Sequence, residues 1–333
     1  MVLTSNLICE KNKIREKIVE FLRLRKEYVS GEEISRCLNI SRQALWQHIN
    51  DLRDLGYDIL AVPHLGYRLD SFPDRLFPFE VEEGLNTKFV GRKIQYLERC
   101  FSTMDIAMEL ACDNPAEGTV VLAEAQTKGR GRLGRHWVSP KYKGIYLTLI
   151  LKPKVAPAQS SVLTLLAAVS VCEAVKNASG ICAAIKWPND IMVNNKKLGG
   201  ILTEIEADPD QVNFVFIGIG LNVNNEAREL LRGATSLRVA GGGEQKFSRI
   251  EILREILRRA EHNYILFQKR GSAAILDKWK RLNITLDKRV KISSAKDHVE
   301  GLALDIDVDG GLLVRRDSGE IQKFMSGDVG HLR

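Results

Sequence analysis

Residues 119–151 read TVVLAEAQTKGRGRLGRHWVSPKYKGIYLTLIL, and the order of elements in this stretch decides the fold class. The apolar, β-branched run at 119–125 predicts a strand, and GIYLTLIL at 144–151 predicts a second. Between them lies Gly129-Arg130-Gly131-Arg132-Leu133-Gly134-Arg135, whose glycines match G-x-G-x-x-G. A dinucleotide fingerprint needs a helix directly after its glycines. Here a polar loop with Trp137 and Pro140 follows, then a strand. A kinase glycine-rich loop also joins two strands, but no H-R-D or D-F-G follows in this chain. What remains is an anion cradle. Glycines let backbone N–H groups turn toward a ligand. Lys128, Arg130, Arg132 and Arg135 offer charge-assisted bonds to phosphate or carboxylate. Three glycines and several like charges leave such a loop mobile when empty, so a ligand that orders it also changes the surface beside it. On these residues alone, a solvated basic loop or an RNA-contacting one stays open.

Upstream, residues 30–56 read SGEEISRCLNISRQALWQHINDLRDLG. Ser30 with Glu33 forms a capping box, Ile34 and Leu38 are an inner face, Asn39-Ile40 is a turn, and Ser41 caps a second helix. Leu45, Ile49 and Leu52 point inward, which leaves Arg42, Gln43, Trp46, Gln47, Asn50 and Arg53 outward. Those residue types contact phosphates and base edges. The pattern predicts a DNA-binding helix-turn-helix over 31–50, preceded by a helix over 13–24 and followed by a winged hairpin with its tip at 63–66. A small dimerisation or docking domain is the alternative. Residues 70–78, with two prolines, read as a linker.

The chain has 333 residues, room for two or three domains. Its six cysteines are scattered singly with no C-x-x-C pair, which predicts reduced thiols, a cytoplasmic setting and no structural zinc. The apolar run 162–175 reads as a buried helix rather than a span, and no membrane partner is expected. Residues 1–70 carry 11 Lys+Arg against 10 Asp+Glu and residues 284–333 carry 8 against 9, so the net +7 comes from the middle. A basic middle suits a nucleotide or nucleic acid. The near-neutral head argues for modest DNA affinity unless two copies bind together.

Residues 185–204, IKWPNDIMVNNKKLGGILTE, hold a second cluster. Asp190 ends a turn, Asn194-Asn195 signals a hairpin, and Lys197 opens the returning strand, with Gly199-Gly200 permitting close backbone approach. A carboxylate that could help hold Mg²⁺ on a nucleotide and a lysine that could neutralise an acyl carboxylate or a charge on phosphorus thus flank one hairpin. AEAQTKGRGRLGRHW, KWPND and KKLGGILTE, in this order, closely resemble the bacterial biotin–protein ligase family. The preceding winged head resembles its bifunctional members, which are also biotin operon repressors. FST at 101–103 resembles two of three positions of the family's Ser-Thr-Asn biotin motif, with Met104 standing where Asn is usual. IGIGLNVN at 217–224 is similar to the family's glycine-rich strand end, and residues 305–333 to its SH3-like barrel.

The resemblance implies an α/β multidomain protein. Its parts would be a winged helix-turn-helix domain at 1–72, a central mixed-sheet, class II synthetase-like catalytic domain at 73–283, and an SH3-like β-barrel at 284–333, with residues 249–267 a long amphipathic helix. It implies biotin contacts from Ser102, Thr103, Met104, Gln126, Arg130, Gly131, Arg132 and Lys197. It implies nucleotide contacts from Arg132, Arg135, Trp137, Asn189, Asp190 and Asn222, with Trp187 shaping the phosphate side, and catalysis by Arg130, Arg132 and Lys197. ATP, biotin and Mg²⁺, a biotin carboxyl carrier acceptor, operator DNA and a ligand-promoted homodimer are the implied partners. A lipoate–protein ligase of the same fold and a non-catalytic ligand-sensing regulator are the rival readings.

Overall fold

The computed structural model describes residues 2–293 and 298–331. The chain forms two compact units, Met1–Asp74 and Arg75–Arg333.

In the first unit, α1 (Val2–Arg25) runs longer than the periodicity predicted and buries Ile18, Val19 and Leu22. α2 (Gly31–Leu38) starts at Ser30, whose side chain accepts from Glu33 N, and stops at Asn39, held left-handed at φ 53°. Asn tolerates that conformation better than most residues, so it makes the tight turn. α3 (Arg42–Asp54) begins at Ser41, whose hydroxyl accepts from Ala44 N, and buries Leu45, Ile49 and Leu52. The wing is the antiparallel pair β1 (Asp58–Val62) and β2 (Gly66–Ser71), extended by a bridge between Val29 and Tyr67.

The second unit is built on a seven-stranded mixed sheet. After α4 (Pro78–Glu82) come β3 (Ile94–Leu97), α5 (Thr103–Ala111), β4 (Val120–Ala123) and β5 (Gly144–Leu151). Next are α6 (Ser161–Ser179), β6 (Ala184–Lys186), β7 (Asp190–Val193), β8 (Lys196–Ala207) and β9 (Val212–Asn222). The strand order is β3-β4-β5-β9-β8-β7-β6, with only β3–β4 parallel. Asn194 and Asn195 both adopt positive φ (50° and 59°) in the β7–β8 hairpin, the requirement of a two-residue type I′ turn. After the short α7 (Leu237–Ala240), α8 (Arg249–Arg270) and α9 (Ser272–Leu282) pack with α6 over one face of the sheet. α6 is long and apolar enough to cross a bilayer, and it lies mostly buried in this core. The expected inner face of α8, with Leu253, Ile256, Leu257, Ala260 and Tyr264, is buried.

The opposite face explains where a ligand fits. Along β9, residues 215, 217, 219 and 221 point to the large core by the strand period of two, while Phe214 and Phe216 pack with Met104 and Ala107 of α5. The next positions on that face are Gly218 and Gly220, paired with Leu202 and Gly200 of β8. The sheet is therefore filled by aromatics at one end and bare at the other.

The C-terminal segment adds β10 (Arg289–Ser293), β11 (His298–Ile306), β12 (Leu312–Arg315), β13 (Ile321–Phe324) and β14 (Asp328–His331), all antiparallel in the order β13-β12-β11-β10-β14. This corrects the expected closed barrel. The edge strands β13 and β14 do not pair with each other among the described residues, so the sheet is open.

Candidate active site

A cleft of about 600 Å³ opens between the glycine–arginine loop, the turn at 186–190, residues 229–234 and the β14 end of the C-terminal sheet. A narrow slot of about 40 Å³ adjoins it, floored by Gly218 and Gly220 and walled by Ser102, Thr103, Met104 and Gln126.

The slot is held by one chain of hydrogen bonds. Thr148 Oγ1 donates to Thr103 Oγ1 (2.9 Å), and Thr103 donates in turn to Gln126 Oε1 through its hydroxyl (3.1 Å) and its backbone N–H (2.8 Å). Gln126 Nε2 donates to Ser139 Oγ (2.9 Å), which donates to Trp137 O (3.2 Å). The Thr103 backbone N–H can only donate, so it fixes the Gln126 amide with Oε1 toward α5 and Nε2 toward Ser139. Ser102 is the α5 cap, its hydroxyl accepting from Met104 N (3.2 Å). Met104 is 2% exposed, and its terminal methyl lies 2.9 Å from where a Cβ on Gly218 would sit. At this position the structure has apolar packing and no polar group for the slot.

The loop itself is a miniature hairpin. Trp137 N donates to Gly129 O (2.8 Å), Gly131 N to Arg135 O (2.7 Å), and Arg130 bridges His136. Its arginines go to three places. Arg130 ion-pairs with Asp105 of α5 (2.8 Å) and with Glu204 of β8. Burial would lower the Arg130 pKa, but those carboxylates outweigh it and raise it. Arg132 donates to Asn189 Oδ1 (3.1 Å) and Gly327 O (3.4 Å); burial lowers its pKa. Arg135 pairs with Asp328. Trp137 turns inward, so a Cβ on Gly220 would lie 2.5 Å from its indole, and its ring stands 5.7 Å from Lys197 Nζ. Its indole N–H is buried with no partner among the described residues.

Lys197 Nζ lies 2.5 Å from Asp190 Oδ1, so the two groups flanking the hairpin meet at the cleft floor. Asn189 is buried, donating to Ile201 O (2.7 Å) while accepting from Arg132. Asn222 donates to Thr235 O (3.0 Å), which ties the end of β9 to the cleft's outer wall. Trp187 is 2% exposed and donates to Gly310 O (3.0 Å), so it serves mainly as core, joining the turn to the C-terminal sheet. Its bond to Pro188 is cis.

In the first unit, Arg42, Gln43, Trp46 and Gln47 are exposed along α3 and Asn50 is half-buried. Arg53 is exposed, as expected, and also reaches back to the wing. Its Nε and Nη2 donate to Ile59 O (3.0 and 2.6 Å), fastening α3 to the wing. The sequence reading missed Ser139, Asp105, Glu204, residues 229–235 and the C-terminal Gly327-Asp328 turn. Ser139, Asp105 and Glu204 stand inside or beside motifs already quoted, whereas residues 229–235 and Gly327-Asp328 reach the site from distant segments.

A mixed sheet with a bare slot beside a cationic cleft is the site of an acid-activating ligase, and residues 96–224 match the Biotin/lipoate A/B protein ligase family. Residues 14–68 match an HTH domain, and residues 285–332 match the Biotin protein ligase C terminal domain. The bifunctional ligase/repressor BirA of Bacillus subtilis is 39% identical over 324 residues, covering 96% of this chain and 99% of that protein. Its Escherichia coli namesake is 29% identical, covering 91% of this chain and 92% of its own. The Aquifex aeolicus biotin protein ligase, solved with biotin and ATP, superposes with a TM-score of 0.61 at 29% identity over 73% of this chain and 99% of that one. The chain belongs to the bifunctional biotin–protein ligase/repressor family.

Proposed function

We propose that this protein makes biotinyl-5′-AMP from biotin and ATP, transfers biotin to a lysine of a biotin carboxyl carrier protein, and represses biotin synthesis genes when ligand-loaded. The observation that carries the reading is the junction of the bare slot with the cationic cleft at Trp137 and Gly200, which line both, with Arg132 and Lys197 on the cleft side and Arg130 on the slot side. The slot's polar wall, Thr103 and Gln126, suits a ureido ring, and the cleft suits a nucleotide.

A carboxylate oxygen of biotin attacks the α-phosphorus of ATP, the bond to the β-phosphate bridging oxygen breaks, and pyrophosphate leaves. Lys197, Arg132 and Arg130 have the charge to offset what develops on phosphorus, so no protein nucleophile is needed. Trp137 covers the junction and excludes water from the mixed anhydride. In the second step the acceptor lysine's neutral ε-amine attacks the acyl carbon, AMP leaves, and an amide forms with loss of a proton. Mg²⁺ fits this donor set only as a nucleotide-carried ion. No group of three His, Cys, Asp or Glu side chains is gathered among the described residues, whereas Asp190 offers the single carboxylate that phosphate-bound Mg²⁺ uses. There it would neutralise phosphate charge.

The SH3-like character of the C-terminal sheet, the class II synthetase-like character of the central one and a cytoplasmic setting belong to the same reading. So does a ligand-promoted homodimer. A ligand that prefers the dimer-competent state raises dimer affinity reciprocally, and a dimer presents two copies of α3 to operator DNA. The Bacillus subtilis and Escherichia coli relatives, which cover 96% and 91% of the chain, are named bifunctional ligase/repressor, which favours this reading over a lipoate ligase or a non-catalytic sensor. The test combines purified protein, ATP, Mg²⁺, biotin and an apo carrier domain, read with streptavidin. Labelled carrier is expected. Unlabelled carrier with biotin still bound would refute the enzyme.

A further inference from the structure

Arg75, the first residue of the second unit, sits in a cluster outside the ligand cleft. Its guanidinium lies 4.2 Å from the centre of the Tyr142 ring and 5.1 Å from that of Phe77. It pairs with Glu98 (2.6 Å) and approaches Glu124 (3.8 Å). Glu98 in turn accepts from the Tyr142 hydroxyl, from Tyr96 (2.9 Å) and from Lys141 (2.5 Å). Three of these residues border ligand-binding segments. Glu98 precedes the FST turn, Glu124 precedes Gln126, and Tyr142 stands between the glycine–arginine loop and β5.

Tyr142 has φ 63°, the left-handed region that a bulky side chain avoids. Such a conformation persists only where its surroundings impose it. The chain turns there from the loop into β5, whose first residues are pinned on the other side by Arg249 Nη1 donating to Gly144 O (3.1 Å). The side-chain contacts that hold Tyr142 there are the stack on Arg75, the Lys141 ammonium 4.6 Å from the same ring and the bond to Glu98.

We infer that Arg75, Glu98 and Tyr142 form a clasp that positions the downstream hinge of the ligand loop, so that they set how firmly the loop retains biotinyl-5′-AMP without touching it. This rests on the ligase reading. Because the clasp acts on retention, its removal raises the KM for biotin and speeds loss of the intermediate while kcat for carrier labelling stays near wild type.

The test uses the full-length protein in the variants Arg75→Gln, Tyr142→Gly and Tyr142→Phe. Readouts are release of radiolabelled biotinyl-5′-AMP, tryptic cleavage within 128–135 in the loaded protein, and KM against kcat. Losing one desolvated cation–π stack predicts release about fivefold to tenfold faster in Arg75→Gln and Tyr142→Gly. Tyr142→Phe keeps the stack and recovers most of the retention. Tyr142→Gly also favours the positive φ, so it folds even where the variant at the half-buried Arg75 fails. Release, cleavage and KM in Tyr142→Gly within twofold of wild type would overturn the clasp. So would a Tyr142→Phe variant as leaky as the glycine. Wild-type protein that makes no biotinyl-5′-AMP would instead sink the ligase reading beneath it.

Discussion

Two glycines on the same strand pair respond in opposite ways to one added methyl group. At Gly220 a Cβ would lie 2.5 Å from Trp137 Cε2 and Nε1 and 3.1 Å from Cδ1, so its three nearest neighbours all belong to the indole. At Gly144 a Cβ would lie 2.6 Å from the backbone oxygen of Leu221 and 2.5 Å from the Tyr146 hydroxyl. Overpacking of this kind costs about 1–3 kcal/mol. Where the obstacle is a side chain on a loop, the loop yields. Trp137 makes no hydrogen bond through its indole N–H, so swinging it out breaks none there. Gly220→Ala therefore leaves the denaturation midpoint near wild type and opens the loop. A closing equilibrium weakened by about 1–3 kcal/mol corresponds to biotinyl-5′-AMP lost roughly 5–150 times faster. In Gly144→Ala the obstacle is the β5–β9 ladder inside the sheet, so the same cost appears in global stability. The assay pairs urea denaturation with release of labelled intermediate and trypsin sensitivity at the loop arginines. A Gly220→Ala protein that loses as much global stability as Gly144→Ala, or that holds its intermediate as wild type does, would refute the placement of Trp137.

Four further outcomes are expected. Lys197→Gln removes the cleft-floor ammonium and should slow adenylate formation by about 10²–10³-fold, as loss of one preorganised electrostatic donor does; pyrophosphate release measures it. Arg132→Ala cuts the tie from the loop to Asn189 and Gly327 O and should spill free biotinyl-5′-AMP, seen as streptavidin signal on a bystander protein. Glu124 and Arg249 form a fully buried pair at 2.6 Å, and Glu124 also accepts from Leu76 N (2.8 Å). Glu124→Gln strands the guanidinium and should cost about 3–5 kcal/mol in the urea midpoint, part of it recovered in Glu124→Gln with Arg249→Met. Burial alone would push the Glu98 carboxyl up, but bonds from Lys141, Tyr142 and Tyr96 and the charge of Arg75 outweigh it and hold it down to about 2. With the folded value below the unfolded one of about 4.3, Glu98 stabilises the fold above that unfolded value. The gain is lost as pH falls through about 2. It is small, under about 1 kcal/mol, because the carboxylate is 43% exposed. Wild type and Glu98→Gln should differ in urea midpoint at pH 5 and converge toward pH 2, and a difference that grows on acidification would contradict the assignment.

Local chemistry made much of this protein readable in one dimension. Ser30, Asn39 and Ser41 are cap and turn residues whose geometry depends on their neighbours in sequence, so the helix-turn-helix appeared where they put it. Asn194-Asn195 needs no partner beyond its own hairpin. A strand on either side of the glycine–arginine loop was enough to exclude a dinucleotide fold, because that fold needs a helix at once. Tertiary structure decided what depends on distant segments meeting. It sent Arg130 to Asp105 and Glu204, Arg132 to Asn189 and Gly327, and Arg135 to Asp328. It fastened Arg53 to the wing, tied the cleft-lining Trp187 to the C-terminal sheet and left the described strands of that sheet unclosed. Spacing along a chain sets helix faces, strand faces and turns through bonds between near neighbours. The destination of a long charged side chain is set by which carboxylate or carbonyl the fold brings within about 3 Å, and that depends on packing across the whole sheet.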